Sequence, residues 1–593
     1  MNQTIKAIVF CQKDVYRSNK VTFALIYLVS TPLAFESFVW ALANKQLVDI
    51  LTKAITTNVV FSIFQLKTFF LLALVWLGIT SLSSLFARYY REKLWRDHHI
   101  YFHKEFTHKI DALDLQTFED SKFLDTLQNS QESYKAVIDT FQSTVNLYRN
   151  VLMGCISLLS ISFLSPVITL VVGILTVSNI YINHKYYERR QLLDRQATPD
   201  RRMRSQLLNY FFNPASLIEM RIHALQDVFR TRYTKLDTEI HTRFMHLNAQ
   251  YLPLNIISSL LEDIISDLGA RLYIFYLAII KRITLGQFAF YISQIGAFTN
   301  SLHRIGENLD SLNESVHRMK YYQEFLEVKP VLPKSTHMSE LTEGVALELK
   351  NIDFTYPETT TKVLDNFSLT IRKGEKVAII GLNGAGKTTI IKLMLRFYDP
   401  DSGQVLINGI DIKDINITEF YKKIGFMAQN YMTYEMTVAD NVVFGRYMQD
   451  AKVADIETAL TKASALEFVN TYPQGINQML GRKFANSIQP SIGQWQKIGL
   501  ARSFYRDPEL LILDEPTSSI DAKAEAEIFE KVENIAKDKT VIIISHRFST
   551  VRKADKIYLV QAGKIIEQGT HDELITLAGM YSQLFEMQAK GYK

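Results

Sequence analysis

The residues of this chain best equipped for chemistry are a glycine-rich run at 381–389 and an acidic pair at 514–515. In "KVAIIGLNGAGKTTIIKLML", Gly381, Gly386, Lys387 and Thr388 fill the spacing G-x-x-x-x-G-K-[ST]. An apolar strand, a glycine turn and a helix follow one another there. Glycines at Gly381, Gly384 and Gly386 let the backbone N–H groups of the turn, including those of Leu382, Asn383 and Ala385, close around phosphate oxygens. The helix opening at Lys387-Thr388-Thr389 adds the partial positive charge of its N-terminus. Lys387 is expected to bind the β- and γ-phosphates of a nucleotide, and Thr388 to ligate Mg²⁺.

The second element is "ELLILDEPTSSID", a buried strand that ends in Asp514 and Glu515. An acid at a strand's end can hold the metal's water shell, while its neighbour polarises the attacking water. Paired acids at strand ends are often only solvated; the phosphate loop upstream is what gives this pair its meaning. His546, after the strand "TVIIIS", is placed to bond a γ-phosphate, although an isolated histidine is more often structural. A third stretch, "SIQPSIGQWQK" at 487–497, has no acid–base pair, no metal ligand and no reactive nucleophile.

The elements that must position these residues divide the chain in two. The 593 residues are too many for one core. The long apolar runs all fall before about residue 305, and after a polar linker the pattern changes to strands alternating with helices. The expected domains are 1–330, 331–346 as linker, and 347–593. The fold class is therefore an α-helical polytopic membrane domain with long cytosolic extensions, followed by an α/β P-loop nucleotide-binding domain.

A bilayer span needs about 20 apolar residues. Six are expected, near 22–43, 66–87, 140–165, 166–183, 256–280 and 285–303. Ser165-Pro166 divides an apolar run too long for one helix, and an even number of spans keeps both ends on one side. Lys6, Lys13, Arg17 and Lys20, then Arg88, Arg91, Lys93, Arg96 and Lys104, then Lys185, Arg189, Arg190, Arg195, Arg201, Arg202 and Arg204 mark the cytoplasmic segments. Lys281 and Arg282 run against that rule. The expectation is a multi-pass protein of the cell membrane with both termini cytoplasmic and no cleaved targeting peptide. Two cysteines, Cys11 and Cys155, form no disulfide framework, and a net charge of +5 is too small to argue for nucleic acid.

On these residues the chain resembles the ATP-binding cassette exporters of the half-size type, in which membrane and nucleotide domains are fused. The resemblance implies ATP and Mg²⁺ as cofactors. It implies that Tyr356 in "NIDFTYP" stacks on adenine, that Gln429 in "IGFMAQN" touches Mg²⁺, that Asp521 lies in the loop joining two ATP sites, and that His546 is the switch. "GKIIEQGTHDEL" resembles the end of the exporter nucleotide domain. "LDLQTFEDSKFLD" and "NPASLIEMRIHALQ" resemble the two cytosolic turns that press on the nucleotide domains.

In this family the place of "PSIGQ" holds the signature L-S-G-G-Q, which faces the γ-phosphate of ATP held by the other subunit. Ser491, Gly493 and Gln494 match; Pro490 replaces Leu and Ile492 replaces Gly. The resemblance thus implies a second half-transporter subunit, a homodimer by default and a heterodimer as the alternative. "GQWQKIGLARSF" is similar to the lantibiotic-type bacterial peptide exporters. The chain starts directly with the membrane domain, so a peptide cargo is expected to be trimmed by another enzyme.

The function implied is ATP-driven efflux of a peptide or amphipathic small molecule. The alternatives are a lipid flippase and a non-transporting membrane ATPase that regulates a partner. An importer fits less well, because those usually keep membrane and ATPase chains separate. Ionisable residues at membrane depth are costly and usually face a cavity or a partner. Glu262, Asp263 and Asp267 in "SLLEDIISDLGARLYIF", and Glu36 in the first span, are the candidates to attract a cationic cargo, with Asp263, Asp267 and Arg271 expected on one helix face.

Overall fold

A computed structural model describes residues 2–57, 67–131, 133–332, 341, 344–357, 359–446, 451–516, 530–532, 539–545, 547 and 551–591. The chain forms two compact units. One comprises residues 1–112 and 121–328; the other comprises 113–120 and 329–593.

The first unit is helical. Its elements are α1 (Asn2–Ser18), α2 (Lys20–Ala34), α3 (Glu36–Thr57), α4 (Lys67–Asp111), α6 (Ser121–Gln131), α7 (Ser133–Ser162), α8 (Pro166–Gln196), α9 (Thr198–Phe212), α10 (Pro214–Ile222), α11 (Gln226–Glu262), α12 (Ala270–Ile279) and α13 (Leu285–Glu327); α5 (Leu115–Glu119) belongs to the second unit. Local chemistry sets the breaks. Asn19 caps α2 by accepting the N–H of Thr22 at 2.9 Å, and Pro32 sits in the last turn of α2 before the chain bends at Phe35. Glu36 opens α3, where a negative charge suits the helix N-terminus. Pro166 starts α8, a position where its missing N–H costs nothing. Thr284 and Gln287 form a capping box that starts α13.

Among the described residues, three stretches are long and apolar enough to cross a membrane: Lys20–Thr56, Phe69–Asp111 and Pro166–Asp194. Their apolar residues, such as Leu71, Leu74, Val167 and Ile174, point outward in numbers that water would not tolerate. α7 and α13 pack against each other along their length and bury Thr140, Ser143, Asn150, Gln294 and Ser301, which lowers their apolarity.

A correction concerns the fifth expected span. It is not one regular helix: α11 gives way at Asp263–Gly269 to a π-helical turn before α12 resumes. The chain winds there on i→i+5 bonds, so the span is not a single α-helix.

The second unit carries two sheets. Strands β1 (Leu347–Thr355), β2 (Lys362–Ile371), β4 (Ser402–Ile407) and β5 (Ile410–Asp411) form an antiparallel sheet in the order β2-β1-β4-β5. Strands β3 (Lys376–Ile380), β6 (Ile424–Met427), β7 (Leu510–Asp514), β8 (Thr540–Ile544), β9 (Lys556–Gln561) and β10 (Lys564–Gly569) form the larger one, in the order β10-β9-β3-β8-β7-β6. All its pairings are parallel except β10 on β9. Every residue of β7 and β8 is buried, as an unbroken apolar run in a sheet covered on both faces requires.

Helix α14 (Lys387–Met394) lies between the sheets, its Ile390, Ile391, Leu393 and Met394 packed with Phe354, Ile379 and Ile512. Helices α15 (Ile417–Lys422), α16 (Val438–Val443), α17 (Val453–Lys462), α18 (Leu466–Val469) and α19 (Ile492–Tyr505) follow. The last of these packs on β6 and β7 through Ile498, Leu500 and Ala501. Helices α20 (His571–Thr576) and α21 (Met580–Gly591) close the far side through Leu574 and Tyr581.

Candidate functional site

The carboxyl ends of β3, β6, β7 and β8 lie side by side, because Ile379 pairs with Ile544, Asp514 with Ile544, and Met427 with Leu513. In an open parallel sheet this edge is where ligands bind. The sequence places the P-loop after β3, Gln429 after β6 and the acidic pair at the end of β7, so the topology alone brings them together.

Two glycines of the loop are dictated by geometry. A Cβ on Gly381 would lie 2.2 Å from the carbonyl oxygen of Val560 in β9, too close for any side chain. Gly386, the N-cap of α14, has φ of 99°, a conformation that other residues avoid. Leu382, Asn383 and Gly384 form the exposed tip, Ala385 is buried, and the tip's backbone is left open to solvent. Lys387 is buried and turned back on its own loop. Its ammonium donates to the carbonyls of Gly381 at 2.8 Å and Leu382 at 3.1 Å. Burial holds its pKa below the ordinary value, opposed by the charges of Glu515 and Asp514. Thr388 is exposed. Thr389 is buried, with its hydroxyl 3.0 Å from that of Tyr356.

Asp514 is 5% exposed. Burial, with the Glu515 charge beside it, pushes its carboxyl up to about 6 against the pull of Lys387. Glu515 has a left-handed φ of 50°, its N–H donates to Ile544 O at 2.9 Å, and its Oε2 accepts from Gln429 Nε2 at 3.0 Å. Asp521 and His546 lie outside the described residues.

Ser491 is the N-cap of α19. Its hydroxyl accepts from Gln494 N–H at 3.2 Å, and the Gln494 side chain accepts from Ser491 N–H at 2.9 Å, a complete capping box. Pro490 is buried just before the cap, Gly493 is half-buried, and Ile492 is 69% exposed at the first helical position. Among the described residues no hydrogen bond joins Ser491 or Gln494 to the P-loop.

Sequence reasoning missed two tethers of this region. The Tyr431 hydroxyl donates to Ile492 O at 3.1 Å, tying the loop after Gln429 to the start of α19. Arg502 donates to Asn441 O and Oδ1 and to Met432 O, at 2.8, 3.0 and 3.0 Å, and lies over the Tyr434 ring at 4.7 Å. Burial lowers its pKa despite Tyr434. The only sequence signal for either was a basic residue in the last turn of a helix.

In the membrane unit, Glu262, expected to be available to a cationic cargo, is already held by protein groups. Glu262 is 4% exposed, and its oxygens meet His303 Nε2 at 2.8 Å and Asn179 Nδ2 at 2.5 Å. A buried carboxylate needs such partners. Asp263 and Glu36 are exposed, and the side chain of Asp267 lies outside the described residues.

Comparison with known proteins fits this geometry. The family described as ABC transporter matches residues 364–518. The chain is 29% identical to the subtilin transport ATP-binding protein SpaT of Bacillus subtilis, over 87% of this chain and 84% of that one. It is 32% identical to an ATP-dependent lipid A-core flippase of Pseudomonas syringae pv. syringae, over 59% of this chain and 57% of that one. Several curated relatives are thus matched over little more than half their length. Among solved structures, that of a bacterial Atm1-family ABC exporter with ATP bound superposes with a TM-score of 0.79 at 20% identity, over 97% of this chain and 98% of the other, a likeness of fold. Residues 364–518 thus match the ABC transporter family, and the whole chain shares its fold, a helical unit followed by a two-sheet unit, with a solved ABC exporter.

Proposed function

We propose that the chain is one half of a dimeric exporter that hydrolyses ATP to move a peptide or amphipathic molecule out across the cell membrane. The observation that carries this reading is the meeting of Gly386, Lys387, Asp514, Glu515 and Gln429 at the carboxyl edge of one parallel sheet.

ATP is the substrate of this edge. Tyr356 faces the base, and the backbone of residues 382–386 faces the phosphates. Lys387 leaves the carbonyls of Gly381 and Leu382 and donates to the β- and γ-phosphates instead, an exchange of like partners in a site already shaped for it. Glu515, aimed by Gln429 and by its own backbone, aligns water for in-line attack on the γ-phosphorus, giving ADP and phosphate. Thr388, Gln429 and Asp514 offer only oxygen donors, the set Mg²⁺ prefers, and a buried carboxyl pushed up to about 6 beside a second acid gains from a cation. Mg²⁺ held there supplies neutralising charge to the phosphates. His546 and Asp521 are assigned the switch and the link between sites.

The helix that Ser491 starts serves the ATP held by a second subunit, for which this chain's own P-loop is not the partner. Membrane spans near 22–43, 66–87, 140–165, 166–183, 256–280 and 285–303 keep both termini cytoplasmic. Peptide cargo is favoured over lipid because the subtilin transport protein aligns over 87% of the chain and the flippase over 59%. The test is ATPase activity of the chain in liposomes with and without a cationic amphipathic peptide. Stimulation with ATP-dependent peptide accumulation supports export. Stimulation by lipopolysaccharide alone favours the flippase, and steady hydrolysis blind to both favours a regulator.

A further inference from the structure

Tyr356, directly after β1, is fixed from several sides. Its ring meets Phe354 edge-on at 5.0 Å and Tyr398 edge-on at 5.4 Å. Its hydroxyl lies 3.0 Å from that of Thr389, on the first turn of α14. One turn further along α14, the Lys392 ammonium stands 5.2 Å from the Tyr356 ring centre and 5.4 Å from that of Tyr398.

A lysine on a flexible stem does not hold such a place unaided. Lys392 is held by Glu119, whose Oε1 accepts from Nζ at 2.7 Å, while its other oxygen accepts from the Tyr398 hydroxyl. Glu119 ends α5, in the short segment 113–120 that lies in sequence between two membrane-unit helices yet packs with the cassette. Burial alone would raise the Glu119 pKa, but the hydrogen bonds from Lys392 and Tyr398 hold it below the usual carboxylate range. The side chains of Lys392 and Glu119 are 24% and 42% exposed, so the pair adds little to folding stability. Its effect is on where the cation sits.

We propose that Lys392, held by Glu119, is a positioning residue for the base-binding face of Tyr356: the ammonium fixes the ring and polarises it for a purine, so affinity for the base depends on an ion pair made by the 113–120 segment. This rests on the ATP-binding reading above. The cation–π contact between Lys392 and the two tyrosines is what distinguishes it from a pair that merely packs α5 in place.

The experiment uses the full chain in nanodiscs, with Lys392→Met, Lys392→Arg, Glu119→Gln, the double variant Glu119→Gln/Lys392→Met, and the exchanged pair Glu119→Lys/Lys392→Glu. Lys392→Met and Glu119→Gln should each raise the KM for ATP roughly 3- to 10-fold, the size of one partly exposed cation–π contact, with kcat within about twofold and a reduced preference for ATP over GTP. The double variant should be no worse than Lys392→Met, because one interaction is lost twice. Lys392→Arg should stay near wild type, and the exchanged pair should not recover KM, since it moves the cation off the ring. Unchanged KM in Lys392→Met, or full recovery in the exchanged pair, overturns the proposal. Lys387→Ala is run beside them: if it binds a fluorescent ATP analogue as well as wild type does, the ATP reading itself fails.

Discussion

Gln429 Nε2 donates to Glu515 Oε2 across 3.0 Å, so the loop after β6 holds the acid that follows β7. Glu515 also takes a left-handed φ of 50° and anchors its N–H on Ile544 O. A non-glycine residue adopts that backbone at a cost, and sites of reaction are where such costs cluster. Both contacts fix the direction of the carboxylate.

From this aim follows the first expectation. Glu515→Gln keeps the shape and loses the charge, so turnover should fall about 10²-fold or more while nucleotide stays bound. Lys387→Ala should do the reverse and weaken nucleotide binding itself. Steady-state hydrolysis beside equilibrium binding of labelled ATP separates the two; equal turnover in Glu515→Gln would refute the assignment.

Asp514 makes the nucleotide-free cassette sensitive to pH. Its pKa is raised from 3.8 to about 6, so the folded state favours the protonated acid. The stabilisation is fully present below the unfolded value and is lost as pH rises through about 6. Wild type should therefore lose stability relative to Asp514→Asn between about pH 4 and pH 7, by at most ~3 kcal/mol. Thermal melts of both proteins without nucleotide across that range check the difference; parallel curves would refute it.

The alternation of strands and helices and the pairing of the P-loop with Asp514 and Glu515 were legible because a P-loop and a strand-end acid pair constrain the chemistry; the order of the strands in each sheet was not, because no local pattern records it. The capping box of Ser491 and Gln494 was half-legible: the residues were singled out, but for their partner across a dimer and not for each other. The tethers through Arg502, Tyr431 and Lys392 were not legible, because each joins residues dozens to hundreds of positions apart and no local period records that. The π turn at Asp263–Gly269 escaped for a related reason: an apolar run reads alike whether wound four or five residues to the bond.

Ile492 stands 69% exposed at the mouth of α19, its backbone oxygen held by Tyr431. If the N-terminus of α19 meets a phosphate of a second subunit's ATP, a branched side chain there crowds the approach. In a homodimer, Ile492→Gly should raise ATPase activity at both shared sites. No change would point to a different partner subunit or to a helix start that already accommodates isoleucine.

Arg502 makes three hydrogen bonds from one guanidinium and covers the Tyr434 ring. Replacing it strands the carbonyls of Asn441 and Met432. Arg502→Met keeps much of the stem and should still lower unfolding stability by roughly 2–4 kcal/mol. Scanning calorimetry of the full chain should show the cassette transition shift downward, while an unshifted transition would mean that solvent replaces these bonds without cost.

Glu262 and Asp263 are neighbours in sequence with opposite circumstances. Glu262 is buried and bonded to His303 on α13 and Asn179 on α8, so it joins three helices at the point where α11 passes into its π turn. Asp263, one residue on, is exposed. A carboxylate already satisfied by protein groups has little to offer a cargo; an exposed one within a helix of this membrane unit does, if the surface it faces is wet. Asp263→Asn should therefore lower transport of a cationic peptide and spare a neutral one, with basal hydrolysis retained. Glu262→Ala should instead leave His303 and Asn179 without their partner and lower the thermal stability of the membrane unit, reducing transport of both cargoes alike. Paired uptake assays in proteoliposomes, read against melting curves, distinguish these outcomes. Equal loss for cationic and neutral cargo in Asp263→Asn would mean that the acid shapes the helix and does not attract the cargo.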